Sequence, residues 1–353
     1  MGRMTSSPDL QASLDRVAAK YASRKDTNEV RFAALSPTSG LTWDWSERGA
    51  REPFFLASIT KLFTTSIIMQ LRAEGSLLLD SPAASLLEPG TLGGLHVLDG
   101  HDASDEITIE ELLSHTSGLA DYFEGKRADG TRLVDELAQT DRGWVTTDAL
   151  DMARAMTPAF PPSTGSKALY SDTNFQVLQL VIEAIDERPY AESVAARVTQ
   201  PLGLEGTYIF GTETLDRFPE IATILHGKGT FEAPRAMASF QADGGGVSTT
   251  GDALRFLRAF MEGELFPRAD LDEMTRTWRR IFTPLTYGTG IMRFAVPRYM
   301  TLRPTPEMIG HSGASGTLLY YVPEKDLYLV GAINQLAKRS LPYRAASELL
   351  GAL

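Results

Sequence analysis

Residues 53–75 read PFFLASITKLFTTSIIMQLRAEG, a stretch apolar enough for a buried helix that still carries a serine and a lysine near its start. The pattern predicts a helix from about Ser58 to Ala73, ended at Gly75, where a residue without a Cβ accepts the left-handed backbone of a helix stop. Ser58 and Lys61 then stand one turn apart on one side of that helix. A first turn also offers unpaired backbone N–H groups and the positive end of the helix dipole. A serine placed there has a hydroxyl that can attack a carbonyl and a nearby N–H that can meet the oxyanion. Lys61 can take part if its amine is sometimes neutral or its charge assists another base, and Phe55, Ile59, Leu62 and Phe63 are apolar neighbours expected to depress its pKa. Taken alone, Ser-x-x-Lys is equally a capping serine and a lysine reaching for solvent, so other residues must decide.

Working outward from that helix, residues 8 to about 22 have helical periodicity, with Leu10, Leu14, Val17 and Ala18 along one side. EVRFAALS and LTWDWSE, separated by Pro-Thr-Ser-Gly at 37–40, read as a hairpin. From about 80 to 200 helical pieces alternate with polar links: TIEELLSH, TTDALDMARAM with a threonine cap, and the strong TNFQVLQLVIEAIDE. Strand-like YGTGIMRF, GTLLYYVP and LYLVGAIN follow beyond residue 230, and RSLPYRAASELLGAL closes as a helix. Strands near both chain ends with helices between them predict an α+β architecture. Residues 1–80 and 201–353 would form a sheet-containing lobe, residues 81–200 a helical lobe, with the ligand groove between them.

Bulk properties narrow the function. Forty-five acidic against 34 basic side chains give a net charge of −11, and no Lys/Arg-rich run appears, which argues against a nucleic-acid partner. The chain has no cysteine, so disulfides, thiol catalysis and thiolate metal sites are excluded. No apolar run is long enough to span a bilayer, and the polar start lacks the apolar core of a secretory signal, so a cytoplasmic protein is expected.

Two further segments supply partners for Ser58. LYSDTNF holds Tyr170 and Asp172 at a loop-to-helix junction. A phenol beside a lysine ammonium would have a lowered pKa and could take the seryl proton and pass it to the leaving group. Asp172 could hold Lys61 or the substrate by a charge-assisted bond, or simply cap the helix. MIGHSGASGTLLYY places His311, Ser312, Gly313 and Ala314 just before or at the start of a strand. There a glycine lets substrate approach the backbone, and the Ala314 N–H could be a second oxyanion donor. His311, largely neutral at pH 7, could orient the substrate or the Tyr170 phenol.

Ser58-Ile59-Thr60-Lys61, Tyr170-Ser171-Asp172 and His311-Ser312-Gly313, in this order and at these separations, resemble the serine β-lactamase and penicillin-recognising hydrolase superfamily. The resemblance is to its class C-like branch of D-alanyl-D-alanine carboxypeptidases, D-aminopeptidases and β-lactamase-fold esterases. It spans roughly residues 12–345 and is reinforced by LLSHTSGL at 112–119 and DGGGVSTTGDALRF at 243–256. It implies the β-lactamase/transpeptidase-like fold, an antiparallel sheet flanked by helices with an inserted helical lobe. It also implies Ser58 as nucleophile, Lys61 and Tyr170 as the proton-transfer pair, and the N–H groups of Ser58 and Ala314 as the oxyanion hole. Asp172, His311, Ser312 and Gly313 would contact substrate, and the two-step acyl transfer requires no metal or organic cofactor.

Two departures matter. Asp172 stands where many lactam-processing members have asparagine, which adds a negative charge and removes a donor. His311 replaces the usual lysine. Together they favour small esters or amides as substrates, with a β-lactamase-fold esterase ahead of a D-stereospecific amidase or carboxypeptidase-like peptidase. A catalytically silent binding protein is the remaining alternative. His115 reads as fold-stabilising. His96, Asp99, His101 and Asp102 have the composition of a metal site but fit a solvated loop better. Phe123, Trp278, Phe282 and Tyr287 are candidates for apolar groove walls.

Overall fold

The computed structural model describes residues 8–49, 52–137, 139–162, 165, 167–297 and 305–353. Two stretches far apart in the chain build one antiparallel sheet. β1 (Arg31–Ser36) and β2 (Leu41–Ser46) form the expected hairpin. β3 (Arg279–Phe282), β4 (Leu285–Tyr287), β5 (Met292–Phe294), β6 (Met308–Gly313), β7 (Thr317–Val322) and β8 (Leu327–Ala332) complete it. Their spatial order is β3-β4-β5-β6-β7-β8-β1-β2, with the two chain ends joined where Arg31–Leu35 pair with Ala332–Tyr328.

Alternation along the strands divides the interior into two cores. Phe32, Ala34, Leu318 and Tyr320 face one core with Leu14 and Ala18 of the Pro8–Ala22 helix and Leu349 of the Leu341–Ala352 helix. Ala33, Leu319 and Val330 face the other, with Phe63 of the Thr60–Ala73 helix and Phe256 of the Thr250–Glu262 helix. Those two phenylalanines stack with ring centroids 3.7 Å apart. Helices thus cover both faces of the sheet, which is why its central strands are apolar throughout rather than alternating with polar residues. Among the described residues, no helix is long and apolar enough to cross a membrane.

Two local expectations change and a third is extended. YGTGIMRF is two strands, β4 and β5, because Gly290 turns the chain at φ +73° and seats its backbone on Thr65, which donates to the Gly290 carbonyl at 3.1 Å. A Cβ there would lie 2.3 Å from Thr65 Cγ2. The Thr146–Arg154 helix is not capped by a threonine side chain; Asp148 instead reaches back to accept from the Val145 N–H at 3.0 Å. His311, Ser312 and Gly313 lie just before β7, as expected, but they are themselves the end of another strand, β6, and pair with Leu319, Leu318 and Thr317 of β7.

Candidate active site

The helix predicted around Ser58 begins as one 3-10 turn, Ala57–Ile59, that runs into Thr60–Ala73. Ala57, just before the serine, has φ +49°, a strained conformation for a residue with a Cβ. The surroundings over-determine it. Phe54–Phe55 pair with Ser248 and Val247, the Leu56 N–H donates to the Gly246 carbonyl at 2.8 Å, and the Gly246 N–H donates to Thr60 Oγ1 at 2.9 Å. From the opposite side Thr317 Oγ1 donates to the Leu56 carbonyl at 3.0 Å and Ser315 Oγ to the Phe55 carbonyl at 3.3 Å. These bonds bring the turn after β6, with Ala314, against the start of the helix.

Gly313 is the closest point of that approach. A Cβ on it would lie 2.3 Å from the Leu56 carbonyl oxygen and 2.2 Å from Thr317 Oγ1. Gly313→Ala is therefore expected to push β6 away from Ser58, costing about 1–3 kcal/mol of stability and lowering kcat/KM about 10²-fold through misplaced geometry. Thermal unfolding and steady-state kinetics on one preparation check both; an unchanged kcat/KM would remove the steric reading.

Lys61 is fully buried, with Nζ 3.3 Å from Ser58 Oγ, 2.6 Å from the Asp243 carbonyl oxygen and 2.7 Å from Asp172 Oδ1. The apolar neighbours were expected to depress its pKa. Burial does act in that direction, but Asp172 and then Asp243 outweigh it and hold the ammonium above its ordinary value. Asp172 is accordingly an ion-pair partner and not a cap: it makes no side-chain bond to the helix it precedes, Thr173–Asp186.

Three acids crowd that single cation. Burial, followed by Asp172, pushes the Asp243 carboxyl up to about 8, while Tyr122 Oη and Gln176 Nε2 each donate to its Oδ2 at 2.8 Å. Burial followed by Asp172 also drives Asp121 well above the carboxylate range. Asp172 is raised as well, by burial, against the pull of Lys61. The arrangement at neutral pH is one ammonium paired with the Asp172 carboxylate, flanked by two carboxyls that favour their protonated forms.

Tyr170 is brought to the same place. Its phenol is hydrogen-bonded with Ser58, and Lys61 Nζ lies 5.1 Å from its ring centroid. The expected lowering of its pKa is reversed: burial and then Asp172 raise it well above 10, and the Ser58 bond offsets only part of this. In the resting site the phenol keeps its proton. Behind the ring sits His115, with centroids 4.4 Å apart. Its Nδ1 accepts from the Ser171 N–H at 3.2 Å and from Asn174 Nδ2 at 2.9 Å, which leaves the proton on Nε2. His115 is thus structural, as its motif suggested, but what it supports is Tyr170.

His311 lies beneath the site rather than on its surface. Its Nδ1–H donates to the Ser312 carbonyl at 2.8 Å, so Nε2 accepts from Tyr287 Oη at 3.0 Å. Burial, then the Lys61 charge, drives its pKa down to about 3, so it stays neutral. The expectation that it touches substrate gives way to contact with Tyr287, whose ring packs edge-on to that of Tyr170 at 5.9 Å. Ser312 hydrogen-bonds Tyr343 on the C-terminal helix.

Ser58, Tyr170, Asp172, Ser312, Gly313 and Ala314 all line one cavity of about 760 Å³. Phe123 and Phe282 line it as expected, whereas Tyr287 is fully buried and Trp278 lies under the Arg293 guanidinium, 4.7 Å from its ring centroid. Glu124 and Arg339, also on the lining, form an ion pair that joins the Asp121–Gly125 loop to the start of the C-terminal helix. His96 and His101 do not converge: His96 is buried and donates to the Phe160 carbonyl at 2.9 Å, while exposed His101 pairs with Glu106. Sequence reading missed Asp121, Asp243, Tyr122 and Gln176. The only available signal was the DGGG run that starts at Asp243, read as a turn.

Known proteins resemble this chain in sequence and fold. Penicillin-binding protein 4 of Amycolatopsis lactamdurans is 26% identical over 289 residues, covering 76% of this chain and 68% of that protein. A D-stereospecific amidohydrolase from Streptomyces sp. superposes with a TM-score of 0.71 at 27% identity, covering 93% of this chain and 95% of that one. The hydrolase EstCE1 superposes with a TM-score of 0.77 at 20% identity, covering 98% of both, a likeness of fold. The Beta-lactamase family profile runs from residue 16 to residue 353. With nearly the whole chain inside that profile, the protein belongs to the Beta-lactamase family and is a serine hydrolase of that fold.

Proposed function

We propose that the protein hydrolyses small esters or amides through an acyl-enzyme on Ser58, with esters the favoured class. The observation that carries this is the convergence of the Lys61 ammonium, 3.3 Å from Ser58 Oγ, with the Tyr170 phenol on one hydroxyl. In the resting site both partners are protonated, so a base must be uncovered. Transfer of one proton from Lys61 Nζ to Asp172, 2.7 Å away, gives a neutral amine beside a neutral acid; the raised pKa of Asp172 favours that step and the raised pKa of Lys61 opposes it. The amine then takes the Ser58 proton as Oγ bonds to the substrate carbonyl carbon. Tyr170 donates its proton to the departing alkoxide or amine and is reprotonated by Lys61. The N–H groups of Ser58 and Ala314 receive the oxyanion. Water attacks the acyl-enzyme by the same route in reverse, which restores Ser58 and releases the acid.

A second reading has support of its own. The Asp172 and Glu124 carboxylates stand on the cavity lining, where a substrate α-ammonium could share them with Lys61 and Arg339, and a relative of similar length is a D-stereospecific amidohydrolase. Matched p-nitrophenyl esters, D- and L-aminoacyl p-nitroanilides and a chromogenic cephalosporin separate the two. The expected order is esters first, with kcat/KM at least tenfold above any D-aminoacyl anilide. A reversed order replaces the ester reading with the amidase one, and turnover of the cephalosporin alone overturns both.

A further inference from the structure

We propose, on the ester reading above, that the natural substrates carry a sizeable apolar group on each side of the scissile carbonyl, held by two separate apolar walls that meet at Ser58. The cavity is not lined by one continuous core. Phe123, Leu137, Met237 and Phe240 reach it from the core shared by the helices around Ser58. Ile281, Leu285, Met292 and Tyr343 reach it from the core on the opposite face of the sheet. Each wall has its own aromatic contacts: Phe123 packs edge-on to Phe240 with centroids 4.9 Å apart, and Tyr343 stacks on Phe294 at 4.7 Å. Ser58, Gly313 and Ala314 belong to the same cavity lining, and they stand where β6 meets the helix start.

The chemistry of the tetrahedral intermediate requires that geometry to be read in pairs. Of the four bonds at its carbon, one goes to Ser58 Oγ and one to the oxyanion aimed at the Ser58 and Ala314 N–H groups. The acyl chain and the leaving alcohol take the remaining two directions, which diverge at the tetrahedral angle. Two diverging substituents facing two apolar walls are both removed from water. A cavity of about 760 Å³ has room for both at once. Charge on either substituent would face these walls and is disfavoured there.

A two-dimensional series of aliphatic esters tests this on the wild-type enzyme. Acyl chains from acetyl to octanoyl are crossed with methyl, butyl and benzyl alcohols, and hydrolysis is followed by acid release. Apolar burial predicts that kcat/KM rises about two- to fourfold per added methylene on either side until a wall is filled. Phe123→Ala and Ile281→Ala, at half-buried positions on opposite walls, should each flatten the dependence on one side of the ester and leave the other intact. A dependence on one side only, or both variants acting on the same side, overturns the two-wall proposal while leaving the Ser58 chemistry standing. Absence of turnover for every ester, with Ser58 also unlabelled by a fluorophosphonate, overturns the proposal together with the reading on which it rests. Should a variant fail to fold, the wild-type series alone decides, because a flat response to size on either side rejects it.

Discussion

Ser58→Ala is expected to lower kcat/KM on any ester that the parent hydrolyses by about 10⁴- to 10⁶-fold, in line with the loss of a serine nucleophile whose partners act as a unit. The fold should survive. Among the described residues the lost hydroxyl bonds only to Lys61 and Tyr170, and Lys61 keeps Asp172 and the Asp243 carbonyl as partners. The stability change should stay near that of one hydrogen bond, about 0.5–1.5 kcal/mol. Intact-mass spectra after fluorophosphonate treatment give an independent readout: one adduct on the parent and none on the variant. Retention of the parent rate by the alanine protein, or an adduct on another residue in both, would remove Ser58 from the chemistry. A Ser58→Ala protein that unfolds would point instead to a capping role, which the place of Ser58 inside the turn, after its cap residue Leu56, already argues against.

The parts of this site that local patterns encode were legible in the sequence, and those that depend on long-range burial were not. The helix after Ser58, its stop at Gly75 and the 31–46 hairpin follow from periodicity and turn chemistry, and the structure has them within a residue or two. The three motif segments could be named because each carries its own unusual residues. The protonation states could not. Whether Lys61 is charged depends on Asp172 and Asp243, which lie more than a hundred residues downstream, and apolar neighbours in sequence outvoted them on paper. Tyr170 failed for the same reason: proximity to an ammonium suggested a lowered pKa, but desolvation at the site followed by the Asp172 charge raises it. His311 looked like a substrate contact by its position in the motif. Only the pairing of β6 between β5 and β7 turns its ring inward to Tyr287.

Lys61→Met should produce two separable losses. The first is catalytic, about 10²- to 10⁴-fold in kcat/KM, the usual range for a positioned proton-transfer group. The second is thermodynamic. Methionine fills most of the volume of the lysine stem between Tyr170 and Phe175 but leaves the Asp172 carboxylate buried without a counter-charge, and such an orphan costs about 3–5 kcal/mol. The loss must depend on pH, and its sign is fixed. An acid whose pKa is higher in the folded than in the unfolded protein keeps a proton that unfolding releases. Its contribution is therefore favourable in acid and is lost as pH rises towards the folded-state value. Asp243, pushed up to about 8, already gives the parent a decline between about pH 4 and pH 8. Asp172, already raised in the parent, rises further without the ammonium, so the stability gap between variant and parent should be small near pH 5 and widest near pH 8. Adding Asp172→Asn to Lys61→Met removes the stranded charge and should recover most of the stability at pH 8 while recovering none of the activity. Urea unfolding of the parent, the single and the double variants at pH 5 and pH 8 measures this directly. A gap independent of pH, or a double variant no more stable than the single one, would mean that the lysine is held by packing and that the acids around it do not set its charge.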